Sequence, residues 1–410
     1  MTDFLPRLRR LTDRLTNPMR SRLSRSLPDP LPPAPPVHLV GHLSAATGVG
    51  EVARSTLAAL QHAGQPIRCT DIETMPTLAS TDVPKNTPGN FQTKINLVHV
   101  NAPNTRKLYD SLGRHFFASR INMGHWSWEM PSFPREWYGA FALYDEVWVD
   151  SRFTQSALAA VSPIPIVHMP TTVAPAMPAT LTRAHFGLPD DRFVFLFMCD
   201  ACSILARKNP RALIRAFRLA FGAPGRNGPL LVLKLNNLDL ARRKPHLYDL
   251  SEHELDALLA ELDAVGGVLI DHRYDRAETS ALMNACDAYV SLHRCEGFGL
   301  TMAEAMYFGK PCIATAYSSN LDYMTPSNSY LVGFELVQLD RSHGPYAAGD
   351  FWAEADVQHA AAQMQQVFTH HDEAAARGRR AAADIRRTNG IEATGYAMQH
   401  RLQHAALRPR

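Results

Sequence analysis

His293 to Leu331 reads HRCEGFGLTMAEAMYFGKPCIATAYSSNLDYMTPSNSYL, and the fold is decided there. Just ahead of it, Ala288 to Leu292 is a short apolar run of the kind buried in a parallel sheet. Within it, Thr301 to Phe308 has helix-forming composition, Gly309-Lys310-Pro311 stops that helix, and Cys312-Ile-Ala-Thr-Ala reads as the next strand. Glu296-Gly297-Phe298-Gly299-Leu300 is therefore a turn between a strand end and a helix N-terminus. Glycines let backbone approach a ligand, and the free N–H groups of a first helical turn suit a phosphate. Glu296 and Glu304, eight positions apart, both face the crevice at the carboxyl end of the sheet. Ionised carboxylates only accept, so they suit sugar hydroxyls better than phosphates. Donors for phosphate beside acceptors for hydroxyls fit a nucleotide-sugar.

Glu296, seven residues and then Glu304, set among EGFGL, EAM and GKPCIAT, resemble the donor site of retaining GT-B glycosyltransferases of family 4. The resemblance implies that Glu296 contacts the donor hexose and Glu304 the ribose. It implies that the backbone of Gly297, Phe298, Gly299 and Leu300 approaches the sugar and diphosphate. One departure stands out: the family often has a glycine pair where this chain has Ser318-Ser319, and a backbone contact from Ser319 is expected in its place.

At 410 residues the chain is long enough for two domains with full cores. No apolar run approaches the length of a membrane span, and no secretory signal is read at the start. The six cysteines are scattered without a disulfide framework, so a reducing cytosol is expected. Net charge is +3, but residues 1–36 hold seven arginines against three aspartates, while the rest carries 35 basic and 36 acidic groups. A body so balanced is not expected to bind nucleic acid.

That basic arm has Phe4, Leu8, Leu11 and Leu15 at helical spacing, with Arg7, Arg10 and Arg14 mostly off the stripe. Residues 1–25 are thus a candidate interfacial helix on an anionic membrane surface, as against a basic tail or a helix docked on its own protein. The location expected is cytoplasmic, with the inner membrane face as the peripheral alternative. Pro28 to Pro36 reads as a stiff linker.

Beyond it, strands at Val37–Leu43, Pro66–Thr70, Ile95–Val100, Arg120–Met123, Glu146–Val149 and Ile164–His168 alternate with helical patterns, notably Glu51–Ala63 and Arg152–Val161. This is an α/β fold with a doubly wound sheet over residues 37–180. A second such domain over 190–385 follows the hinge-like Pro170–Pro189 run, with strands at Phe193–Cys199, Leu230–Leu235, Val268–Asp271, Ala288–Leu292 and Tyr330–Val332. The resemblance implies a GT-B architecture, two Rossmann-like domains facing across a cleft, with a helical tail at 386–410 crossing back to the first domain.

Gly48-Val-Gly50-Glu-Val-Ala53 matches the dinucleotide fingerprint, and Asp71 follows at about the spacing of a ribose-binding acid. Alone this reads as an NAD-dependent oxidoreductase, although the Leu43–Gly48 loop is long for that turn. The resemblance gives Gly48 and Gly50 another use, in a glycine loop facing the donor diphosphate. His99 and His125 end strands, where residues point into the ligand crevice. The resemblance favours His125 for the donor sugar, with His99 in reserve. Trp126, Trp128 and Glu129 are a candidate acceptor platform, or plain core.

Arg207-Lys208, ahead of the Arg211–Phe221 helix, form a compact cationic spot expected to clamp the diphosphate. Asp271 to Tyr274, with Arg273, ends a strand beside the base pocket. The Cys199/Cys202 pair lacks the partners of a zinc site. No Asp-x-Asp occurs, so neither a metal nor any other cofactor is expected. The reading is a metal-independent retaining hexosyltransferase of surface polysaccharide synthesis. By family habit its donor is GDP-mannose or a UDP-hexose and its acceptor a glycan or a polyprenyl-linked glycan. A non-catalytic nucleotide-sugar-binding protein is the other alternative.

Overall fold

Val194-Phe-Leu-Phe-Met-Cys-Asp200 is apolar on both faces, as a strand must be when helices cover it on both sides. In the computed structural model, which describes residues 34–72, 92–225 and 227–407, that is where it lies. Val194, Leu196 and Met198 enter one apolar core and Phe195, Phe197 and Cys199 the other, following the two-residue alternation of a strand. The arm over residues 1–33, with its candidate membrane helix, lies outside the described residues.

Six parallel strands form the first sheet: β1 (Val37–Gly41), β2 (Ile67–Asp71), β3 (Ile95–His99), β4 (Ile121–Trp126), β5 (Glu146–Val149) and β6 (Ile166–His168), in the order β2-β1-β3-β4-β5-β6. The second sheet, also parallel, contains β7 (Val194–Asp200), β8 (Leu230–Asn236), β9 (Val268–Ile270), β10 (Ala288–Ser291), β11 (Cys312–Thr315) and β12 (Tyr330–Val332), in the order β12-β11-β10-β7-β8-β9. The strand order reverses between β7 and β10, and in an open α/β sheet ligands bind outside the carboxyl ends at such a point. The Arg207-Lys208 segment follows β7 and the Glu296 turn follows β10. The strands expected from the sequence are all present, with ends shifted by a few residues.

An antiparallel hairpin, β13 (Phe334–Gln338) and β14 (Phe351–Ala355), is an addition that the sequence reading lacks. Trp352 and Val337 pair across it and pack into a core shared with Trp126, Trp128 and Phe133 of the first domain.

The last two helices pack on different domains. The His371–Asn389 helix packs on the second domain, placing Ala381 and Ile385 in its core. Ile391–Ala406 then lies on the Gly48–His62 helix, with Met398, Leu402 and Ala405 in the first domain's core. Gln399 Nε2 donates to Ala63 O at 2.7 Å, and Arg401 Nη2 meets the fully buried Glu146 Oε2 at 2.5 Å. The two crossings touch: Val173 N donates to Asn389 O at 2.7 Å and Asn389 Nδ2 to Thr171 O at 3.0 Å.

Candidate donor site at the sheet switch point

Arg207 and Lys208 lie on a single helical turn, Leu205–Lys208, bounded by Ile204 at φ 57° and Asn209 at φ 53°. Two left-handed non-glycine residues around four positions make a costly piece of backbone, of the kind held in place by surrounding contacts. Those contacts come from the β10 loop. Arg294 N donates to Arg207 O at 2.8 Å, and Arg207 Nη1 donates to Cys295 O at 3.0 Å.

The cations converge on one carboxylate. Arg207 Nη1 is 2.9 Å from Glu296 Oε2, and Lys208 Nζ is 2.5 Å from Glu296 Oε1. Glu296 is 7% exposed, and burial by itself would raise its pKa. Lys208 and Arg207, helped by His293, outweigh that and hold the carboxyl at about 2. From the first domain, Glu129 Oε1 stands 3.8 Å from Arg207 Nη2. Two cations thus face little more than one buried anion, which leaves charge for an anionic ligand to meet.

Glu304, 5% exposed, belongs to a second network. Its Oε1 accepts from Arg276 Nη2 at 2.6 Å, and the same nitrogen is 2.8 Å from Oε1 of Glu51, across the domain boundary. Glu51 Oε2 pairs with Arg54 at 2.7 Å, and Arg54 Nη1 donates to Leu43 O and Ala45 O of the loop after β1 at 2.8 Å each. Burial raises the Glu304 carboxyl, Arg276 opposing it. Neither Arg276 nor Glu51 is a site candidate in the sequence reading, which takes Arg273; Arg273 is exposed.

The glycine turn between the two carboxylates is tightly specified. Gly299 has φ 83° and caps the Leu300–Tyr307 helix, and a Cβ there would sit 2.3 Å from Met302 Cε and 2.9 Å from Tyr323 Oη. Tyr323 Oη bonds Phe298 O at 2.8 Å, while the Phe298 ring packs into the core, so only its backbone is left for a ligand. Gly297 lies against the Trp128 backbone of the first domain. Ser318, at φ 70°, keeps a glycine-like conformation where the resembling family has glycine, and its Oγ accepts from Glu296 N at 3.0 Å. Ser319 is fully buried, with no partner for its Oγ.

His125 and His99, weighed as alternatives, are a pair. Their strands are neighbours, and the rings stack with centroids 4.3 Å apart. Burial lowers both pKa values, His99 further because His125 is beside it, so both rings are neutral near pH 7. His125 Nε2 is 3.6 Å from Asp150 Oδ1. Asp150 also accepts from Thr171 Oγ1 at 2.9 Å and from Ser127 Oγ.

One sequence expectation is corrected here, and two others gain a local structural account. Trp126 and Trp128 are 1% and 4% exposed, so they form core beneath the hairpin rather than an open platform for sugars. Gly50 is required by its own loop: a Cβ would lie 2.3 Å from Ala45 O, whereas Gly48 borders open space. Asp71, the acid of the dinucleotide reading, spends Oδ1 on Ser44 N at 3.0 Å. Near the candidate base pocket, the Lys234 ammonium lies 5.3 Å from the Tyr274 ring centroid, and burial lowers its pKa to about 8.

Residues 249–335 match the family model described as Glycosyl transferases group 1, a segment that includes Arg276, Glu296, Glu304 and Ser318. Among solved structures, HepE from Anabaena, in complex with UDP and glucose, is similar at TM-score 0.62 and 14% identity, over 90% of this chain and 100% of that one. Sucrose-phosphate synthase from Thermosynechococcus elongatus is similar at TM-score 0.63 and 16% identity, over 91% and 100% of the two chains. A glycosyltransferase from Rickettsia africae gives TM-score 0.63 and 12% identity, over 92% and 100%. No curated protein matches the sequence. The fold is GT-B.

Proposed function

We propose that this chain, with a GT-B fold and a group 1 glycosyltransferase segment in its second domain, transfers a hexose from a nucleoside-diphosphate sugar to a glycan or lipid-linked acceptor with retention of configuration. The observation that carries the reading is the convergence of Arg207 and Lys208 on Glu296 at the sheet's switch point. In the free protein Glu296 compensates both cations. A donor diphosphate takes over that task, leaving the Glu296 carboxylate to accept from sugar hydroxyls.

In the proposed reaction the bond from the anomeric carbon to the diphosphate oxygen breaks. The acceptor oxygen bonds to the same face of that carbon, and its proton passes to the departing phosphate oxygen. Charge grows on the leaving diphosphate, where Arg207, Lys208 and the N–H groups at the start of the Leu300–Tyr307 helix stabilise it without requiring a metal. The neutral His125 ring is assigned to the donor sugar, positioned by His99 and Asp150.

UDP in HepE, and the UDP-forming trehalose-phosphate synthase of Burkholderia xenovorans among the similar structures, put UDP-hexoses first among donors to test, ahead of GDP-mannose. No helix among the described residues is long and apolar enough to cross a membrane. A membrane-surface acceptor rests on the N-terminal arm alone.

The direct test incubates the protein with UDP-glucose, UDP-N-acetylglucosamine or GDP-mannose, a lipid-linked glycan extract and EDTA. Nucleoside diphosphate release and the anomeric proton coupling of the product are read. Release of one nucleotide with an axial product from the axial donor supports the reading. An inverted product overturns retention, and dependence on added divalent metal overturns the metal-free mechanism.

A further inference from the structure

The structure assigns a role to Arg276 that goes beyond the donor site as proposed: we infer that Arg276 positions Glu304 for the donor ribose and, through Glu51, fastens the first domain over it. This inference rests on the proposed reading of Glu304 as the ribose acceptor.

A single guanidinium nitrogen, Nη2, lies 2.6 Å from Glu304 Oε1 and 2.8 Å from Glu51 Oε1. The Glu304 side chain is 6% exposed and that of Glu51 13%, so neither pair is the fully solvated kind whose strength is negligible. A carboxylate buried as deeply as Glu304 picks up a proton unless a cation stays beside it, and a protonated carboxyl is a poorer acceptor for two ribose hydroxyls. Arg276 is the cation beside Glu304, and it occupies only one of the two carboxylate oxygens. The other leg runs Arg276, Glu51, Arg54 and then to the carbonyls of Leu43 and Ala45, so it ends on the loop expected to face the diphosphate. Ribose recognition in one domain and loop placement in the other therefore share one side chain.

The chemistry also explains why this position carries Arg. Lysine is a single point charge, whereas a guanidinium spreads its charge over a plane that two carboxylates can share.

The test measures binding of UDP, 2′-deoxy-UDP, GDP and 2′-deoxy-GDP by calorimetry to the full chain and to Arg276→Met, Arg276→Lys and Glu51→Gln. In the wild type the ribonucleotide binds more tightly than its deoxy counterpart. Arg276→Met loses about tenfold in affinity for the ribonucleotide, the weight of one hydrogen bond to a charged group, and loses the preference for ribose with it. Arg276→Lys restores part of that preference. Glu51→Gln keeps the preference, but small-angle scattering shows a larger radius of gyration, because only the leg between domains is cut. Ribose discrimination that survives in Arg276→Met overturns the proposal while leaving the donor site standing. Unchanged dimensions in Glu51→Gln overturn the clasp between domains. If no nucleotide binds the wild type, the reading of Glu304 itself fails and the inference falls with it.

Discussion

Glu296 carries the strongest consequence at the scale of single residues. It is the shared counter-ion of Arg207 and Lys208 as well as the proposed partner of the sugar. Glu296→Gln is therefore expected to slow transfer by about two orders of magnitude and also to destabilise the fold by about 3 kcal/mol, because the buried Arg207 and the part-buried Lys208 lose their anion. Urea unfolding beside a transfer assay checks both. Its pH dependence has a definite sign. The folded pKa of about 2 lies below the ordinary 4.5, so this stabilisation is complete above pH 4.5 and is lost as pH falls toward 2. The stability gap between wild type and Glu296→Gln should narrow steadily over that range; a gap that widens on acidification would contradict the charge assignment. Glu296, Glu304, Arg207 and Lys208 could be read from the sequence because each lies in a motif next to a strand end. Arg276 could not. Its helix begins at Arg276, behind an Asp275–Glu278 capping box, and that places Arg276 rather than Arg273 beside Glu304. Likewise the choice between His99 and His125 dissolves once β3 and β4 are seen to be neighbours.

At the scale of elements, the turn and helix after β10 depend on Gly299. An alanine there would take φ 83° and press on Met302 and Tyr323, so Gly299→Ala is expected to cost about 1–3 kcal/mol. The displaced helix N-terminus should weaken nucleoside diphosphate binding as well. Chemical denaturation and a binding titration measure the two effects, and an unaffected variant would show the turn to be slack. Parallel strands were readable because each is a short apolar run bounded by turn residues. The β13–β14 hairpin was not. Its strands are separated by a long loop with no tight-turn signal, and the buried surface of Trp352 is supplied by the first domain, far away in sequence. The same packing turns Trp126 and Trp128 into core.

At the scale of the whole molecule, the chain passes between the domains twice at one place, where Val173 meets Asn389. Away from that place, Arg276 and Glu51 also join the two domains. Two domains were legible from length and from the alternating strand and helix pattern. Their contacts were not, because ion pairs such as Glu129–Arg207 and Glu51–Arg276 join residues far apart in sequence, outside the reach of any local pattern. The central claim is that the Arg207, Lys208 and Glu296 cluster receives a nucleoside diphosphate. It is tested most directly by thermal unfolding of wild type and Arg207→Ala with UDP, GDP, ADP or NAD(H) in EDTA. At about a hundredfold excess over Kd, one nucleoside diphosphate should stabilise the wild type by about 3 kcal/mol and Arg207→Ala far less. Stabilisation by NAD(H) alone, or an equal shift in both proteins, would contradict it.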